Sequence, residues 1–335
     1  MTKKVNLTFE TFQIFDNLIW KRFQILLRMN LLFILLFTVS CQFESAADST
    51  ELDYPFETTK VELPNDSVIT YTDSGNGDET LLLIHGLGSY IPAWKMNIDA
   101  LANNYRVVAL DLPGFGKSSK SASNHSIPFY SETVIQLLNE LGIDAVTLVG
   151  HSMGGQIALY TSYHAPQRVK RLILSAPAGF EEFTPQDRTI FESFISPESI
   201  AETPEMMIRQ NFRANFYNYP EEAEFMIEDR LSMMDLPDFQ NYARAQAESI
   251  FAMLDEPVKD LIPKIEIPTL VIFGANDALI PNRNLHPNLT VQNVAESGTD
   301  KMPNATLIMI EDAGHFVHFE QPDEFNQAVI EFLEQ

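Results

Sequence analysis

Val146-Thr147-Leu148-Val149-Gly150-His151-Ser152-Met153-Gly154-Gly155 is the stretch whose reading decides the fold. An apolar, β-branched run predicts a buried strand. It ends in a serine bracketed by Gly150 and Gly154, and a helical pattern begins at once with Met153. A strand-to-helix turn this sharp has no room for side chains on its flanks, which accounts for both glycines. Ser152 is therefore expected in a strained backbone conformation held by the surrounding core. It also sits at a helix N-terminus, where N–H groups without intrahelical partners suit an oxyanion. The G-x-S-x-G string is short, and what lies downstream gives it weight.

A serine hydroxyl is a weak nucleophile at neutral pH and needs a base, usually a histidine oriented by a carboxylate. Pro268-Thr269-Leu270-Val271-Ile272-Phe273-Gly274-Ala275-Asn276-Asp277 reads as an apolar strand, a small-residue turn and an aspartate. Ala305-Thr306-Leu307-Ile308-Met309-Ile310 reads as another strand, followed by Glu311-Asp312-Ala313-Gly314-His315. Asp277 and His315 thus fall just past the carboxyl ends of strands, where open α/β sheets assemble their sites. Asp312 competes with Asp277 as the carboxylate, but it lies in the histidine's own loop.

Three further segments extend the pattern: Leu81-Leu82-Leu83-Ile84-His85-Gly86-Leu87-Gly88, Val107–Ser118 with its D-L-P-G-F-G-K-S string, and Ala313–Phe316 followed by Glu320-Gln321-Pro322. With these, the chain from about Val68 to its end resembles the α/β-hydrolase superfamily. The resemblance implies a triad in the chain order Ser152, Asp277, His315, which differs from the orders of chymotrypsin and subtilisin. It implies an oxyanion hole from the backbone N–H groups of Leu87 and Met153, with His85 shaping that turn and His151 beside the serine. His318 reads as a packing residue and Asp111 as part of a loop. No metal or organic cofactor is implied, and the sequence shows no metal-ligand cluster. The serine at the elbow argues against relatives that use aspartate there, such as epoxide hydrolases. Hydrolysis of a carboxylic ester is the leading expectation. Hydrolysis of a carbon–carbon bond in a ring-cleavage product comes second, since those enzymes resemble the S-M-G-G string but favour asparagine at His151 and tryptophan at Phe316. A cofactor-free haloperoxidase-like activity and a ligand-binding fold without turnover are the remaining alternatives.

The rest of the chain fits one large core. With 335 residues, 45% of them hydrophobic, strand runs alternate with helical patterns at Ala93–Ala102, Phe129–Leu141, Met153–Ala165 and Asp323–Leu333. This predicts an α/β fold with a mostly parallel sheet and helices on both faces. The expected divisions are a leader over 1–41, a polar tether over 42–60, core over 61–178 and 263–335, and a helical cap over 179–262. The cap stretch is rich in apolar and aromatic residues, among them Phe191, Phe194, Met206, Met207, Phe212, Phe216, Tyr217, Phe225, Met226, Met233 and Met234. Most of these are expected to hold the cap together. A few must line a cleft, so an apolar acyl or small aromatic substrate is expected. The net charge of −24 is spread along the chain without a basic patch, which excludes nucleic acid as a partner.

Leu31–Val39 is strongly apolar, follows Lys21, Arg22 and Arg28, and precedes Ser40 and Cys41, the single cysteine. It is too short to span a bilayer as a helix but suits a signal-peptide core. It resembles a bacterial lipoprotein leader, although Thr38 stands where leucine is usual. The resemblance implies lipidation at Cys41 and an envelope protein facing the periplasm or exterior. Retention through an uncleaved leader is the alternative, and a start of translation at Met29 would leave the leader without basic residues.

Overall fold

The computed structural model describes residues 52–335; the leader and Cys41 lie outside the described residues. Eight strands form one sheet: β1 (Thr59–Glu62), β2 (Val68–Ser74), β3 (Thr80–Ile84), β4 (Arg106–Leu110), β5 (Val146–His151), β6 (Val169–Ser175), β7 (Thr269–Gly274) and β8 (Ala305–Ile310). Their order across the sheet is β1-β2-β4-β3-β5-β6-β7-β8. Only the β1–β2 and β2–β4 pairings are antiparallel; every pairing from β4 to β8 is parallel. The central strands β3, β5 and β7 are buried along their whole length. Strands covered on both faces read as continuous apolar runs rather than alternations, which is why they are so plain in the sequence. The outer strands β1 and β8 are partly exposed.

Helices cover the sheet where the sequence pattern places them. Met153–His164 follows β5, and Ile127–Glu140 is capped by the Ser126 hydroxyl, which accepts from the Phe129 N–H at 3.2 Å. Trp94, Tyr130, Phe115, Phe273 and Phe325 are fully buried in the core. One boundary moves. Residues from Leu52 onward, read as the end of a polar tether, belong to the fold: Leu52 and Tyr54 are buried and Thr59–Glu62 is a strand. A few apolar side chains set among polar ones give no periodicity, so the anchor is hidden in the sequence.

Between β6 and β7 the alternation stops and five helices follow, Pro185–Glu192, Pro197–Ala201, Glu205–Arg213, Glu224–Met233 and Phe239–Asp255. We refer to them as the cap. Among the described residues no helix is long and apolar enough to cross a membrane.

Candidate active site

The elbow is built by backbone touching backbone. A Cβ on Gly150 would lie 2.4 Å from the Gly154 carbonyl oxygen, and one on Gly154 would lie 2.3 Å from that of Ile84 in β3. Ser152 between them takes φ 52° and ψ −118°, a strained geometry for a residue with a side chain. Four hydrogen bonds hold it there. Its N–H donates to the Ser175 carbonyl at 3.0 Å, and its carbonyl accepts from Gly155, Gln156 and Ala178 at 2.9, 3.2 and 2.9 Å.

His315 follows β8 and is 4% exposed; its Nδ1 lies 2.8 Å from Oδ2 of the fully buried Asp277. The other oxygen of Asp277 accepts from the Leu279 and Ile280 N–H groups at 2.8 and 3.0 Å. With Nδ1–H donating to the carboxylate, Nε2 is the nitrogen that carries the lone pair. Asp312 is exposed, and its carbonyl accepts from Gln321. Of the two aspartates, it is Asp277 that meets the imidazole.

Gly86 brings the turn after β3 against the elbow. A Cβ there would lie 2.8 Å from His151 Nδ1 and 3.1 Å from Ser152 Cβ. Leu87 therefore sits beside Ser152, and Met153, as the first residue of its helix, has an N–H without an intrahelical acceptor. His85 accepts from the Leu112 N–H at 3.0 Å and donates to the Gly86 carbonyl at 2.7 Å, which fixes the turn. His151 bonds the His315 carbonyl through Nε2 at 3.0 Å, and His318 stacks on Trp94 with ring centroids 4.1 Å apart. Burial holds all three imidazoles below the ordinary range. His85 lies at about 4 and His318 at about 3, and His151 is also pushed down by His318 and His315 beside it. Burial raises the Asp111 carboxyl to about 6 against hydrogen bonds from Tyr54, Ile91 and Lys117. These bonds tie three loops together, the structural role expected of it.

Ser152, His151, Leu87 and His315 line a cavity of about 630 Å³ closed over by the cap. Of the apolar cap residues singled out in the sequence, Phe191 and Phe212 reach this cavity. Phe216, Met226 and Met233 are buried elsewhere in the cap or against the core, whereas Phe194 and Met206 are 71% and 75% exposed. Ile250, Met253, Leu254, Leu279 and Phe316 are among the other apolar residues of the lining.

The cavity lining also holds a buried cation that the sequence reading missed. Arg230 is 7% exposed and lines the cavity. Its guanidinium lies over the Phe239 and Tyr242 rings at 4.5 and 4.8 Å, and Nη2 donates to the Ile200 carbonyl at 3.2 Å. Nη1 is buried with no partner among the described residues, and so is Oε1 of Gln246, another lining residue. A Cβ on Gly88 would lie 3.2 Å from the Tyr242 hydroxyl and 3.3 Å from Gln246 Nε2, so both side chains hang beside the turn that carries Leu87. In the sequence Arg230 belongs to the charged run Glu228-Asp229-Arg230, which reads as a solvated helix face.

The family described as the alpha/beta hydrolase fold matches residues 79–322. The chain belongs to the α/β-hydrolase fold family. It is 33% identical over 260 residues to a dihydrolipoyllysine-residue acetyltransferase component of the acetoin cleaving system from Pseudomonas putida, an alignment covering 77% of this chain and 64% of that protein. The chain thus spans just under two thirds of the length of that relative. It is 29% identical to a 2-hydroxy-6-oxononadienedioate/2-hydroxy-6-oxononatrienedioate hydrolase from Burkholderia vietnamiensis, over 79% of this chain and 90% of that one. Among solved structures, a probable hydrolytic enzyme from Pseudomonas aeruginosa PAO1 superposes with a TM-score of 0.77 at 26% identity, covering 84% of this chain and 96% of its own. This member of the α/β-hydrolase fold family therefore has proteins named as hydrolases among its neighbours by sequence and by structure.

Proposed function

We infer that the protein is a serine hydrolase cleaving a carboxylic ester through an acyl-enzyme on Ser152. The observation that carries this reading is the strained serine and the Asp277-bonded His315 opening into one cavity. Ser152 Oγ attacks the substrate carbonyl while His315 Nε2 takes its proton, and Asp277 holds the tautomer and stabilises the imidazolium. The N–H groups of Leu87 and Met153 receive the oxyanion; losing one such donor typically costs about 10²–10³ in turnover. His315 then protonates the leaving alcohol. A water deprotonated by the same imidazole attacks the acyl carbonyl, and collapse restores Ser152 and releases the acid.

The lining of the cavity supports a reading of the substrate. Phe191, Ile250, Met253 and Leu254 suit an apolar acyl or small aromatic body. Arg230, a desolvated cation on the lining with one donor unpaired among the described residues, suits a carboxylate or enolate oxygen of the substrate. That cation also favours a second reading, carbon–carbon bond hydrolysis of a diketo acid. Relatives are named for a nonadienedioate and for a substituted succinate, both dicarboxylates.

Two measurements test this. A fluorophosphonate probe should label the wild type at Ser152 and leave Ser152→Ala unlabelled; tight ligand binding by an unlabelled wild type would make the protein a receptor instead. A panel of p-nitrophenyl esters, neutral and carboxylate-bearing, run beside a vinylogous 1,5-diketo acid, separates the two chemistries. A preference of several orders of magnitude for the diketo acid would replace the ester reading by the second.

A further inference from the structure

The cap is bonded to the histidine loop through one carboxylate and one backbone carbonyl. Glu320 ends the short helix Val317–Glu320. Its Oε2 accepts from the Gly314 N–H at 2.8 Å and the Tyr217 N–H at 3.1 Å, and its Oε1 accepts from the Asn218 N–H at 2.5 Å. Gly314 immediately precedes His315, whereas Tyr217 and Asn218 belong to the cap segment between Glu205–Arg213 and Glu224–Met233. The Asn215 carbonyl completes the seam by accepting from the His315 N–H at 2.7 Å and the Phe316 N–H at 3.3 Å. Nothing larger than glycine fits at 314, since a Cβ there would lie 2.7 Å from both the Asn215 oxygen and the Tyr217 nitrogen. Phe216 stacks on Phe316 with centroids 5.2 Å apart and planes 22° apart.

We propose that Glu320 is a positioning residue: it clasps the cap segment 215–218 to the loop of His315 and so sets the angle of the imidazole toward the Ser152 hydroxyl. This rests on the serine-hydrolase reading above. Asp277 holds only one edge of the ring, through Nδ1; where the Nε2 edge points depends on the backbone of residues 314–316, and that backbone is bonded to the cap. The clasp also joins the base to substrate binding, because Phe212 and Asn215, just before the clasped residues, line the cavity. Glu320 is only partly buried and Tyr217 is 49% exposed, so water can take over these N–H groups when the carboxylate is lost. Removing it should therefore loosen geometry far more than it lowers stability, and a misplacement of 1 Å can cost about 10² in rate.

The test compares wild type, Glu320→Gln, Glu320→Ala, Phe216→Ala and the Glu320→Ala/Phe216→Ala pair. Each is titrated with a fluorophosphonate for its active fraction, then assayed for the acylation rate constant per active site and for kcat and KM on a small ester. The expected result is a full titratable fraction, an acylation rate and kcat about 10- to 100-fold lower in Glu320→Ala, less so in Glu320→Gln, and an unchanged KM. Phe216→Ala should slow acylation too, and the pair should be less than additive because both act through one seam. A wild type that the probe does not label overturns the serine-hydrolase reading itself. A labelled wild type with Glu320→Ala acylating at the same rate per active site, or losing only active fraction, overturns the clasp.

Discussion

The floor and the roof of the cavity are made in different ways. The floor is the carboxyl edge of the sheet, where Leu87, Ser152, Leu279 and His315 follow β3, β5, β7 and β8. It is assembled by close approaches of main chain, and Asp277 accepts three hydrogen bonds there. The roof is the cap, and none of the 14 glycines lies between Gly179 and Gly274. Its lining is built from side chains, and two buried polar atoms on lining residues, Nη1 of Arg230 and Oε1 of Gln246, have no partner among the described residues. The floor has one such atom as well, Nδ1 of His151, but its aspartate and histidine are already joined to each other. In the roof the unpaired donor belongs to a cation, and a buried donor left unsatisfied is costly. On the serine-hydrolase reading, bond breaking belongs to the floor and substrate choice to the roof.

The strongest test of that division is a floor variant. Asp277→Asn keeps the shape of the side chain but favours the wrong imidazole tautomer, and kcat should fall by about 10⁴ for every substrate in the panel. Circular dichroism and gel filtration should match the wild type. A loss confined to some substrates would mean that Asp277 takes part in recognition, and the division would break.

A roof variant should do the opposite. Arg230→Met removes the guanidinium and keeps much of the aliphatic stem over the Tyr242 and Phe239 rings. Loss of a buried charge-assisted contact predicts kcat/KM lower by about 10² for carboxylate-bearing substrates. Neutral esters should be turned over as well as before, because the floor is untouched. Thermal stability should hold or rise, since a buried cation without a carboxylate partner is costly. Equal losses on charged and neutral substrates would show that Arg230 supports the floor, and the division would fail from the other side.

The same division explains what the sequence reveals. Gly150, Ser152 and Gly154 are close in sequence because one turn needs them, and β3, β5 and β7 are continuous apolar runs because both their faces are covered. Asp277 is legible because it follows such a strand by a few residues, and His315 because it follows the apolar run of the outer strand β8. Arg230 and Glu320 are not. Arg230 sits in a charged helical run whose pattern matches a solvated surface, and Glu320, though part of the quoted Glu320-Gln321-Pro322 string, gives no sign of a cap partner; only tertiary contact brings one over Tyr242 and the other to Asn218. The cap's apolar residues were visible as a set, yet Phe212 reaches the cavity and Met206 faces solvent. Helix spacing alone cannot distinguish the inner from the outer face of a cap that has two apolar sides.

The smallest effect concerns acid, and it should fall on the floor. His85, His151 and His318 are held neutral by burial, with His85 at about 4 and His318 at about 3. Below about 6.5 the unfolded chain takes up protons that these folded imidazoles refuse, so their contribution is present at neutral pH and is lost as pH falls toward their folded values. Each removes roughly 1.4 kcal/mol per pH unit in that window. Asp111 acts in the opposite sense. Its raised pKa of about 6 means that its contribution is fully present below about 4 and is lost as pH rises through about 6, so it offsets one histidine between those limits. The net result is a protein less stable at pH 5 than at pH 7, measurable by urea unfolding at both. His318→Phe keeps a ring against Trp94 and removes one titrating group, so the loss between pH 7 and pH 5 should shrink by about 2 kcal/mol. If the two proteins lose the same stability over that interval, the imidazole at 318 is not held neutral by the floor.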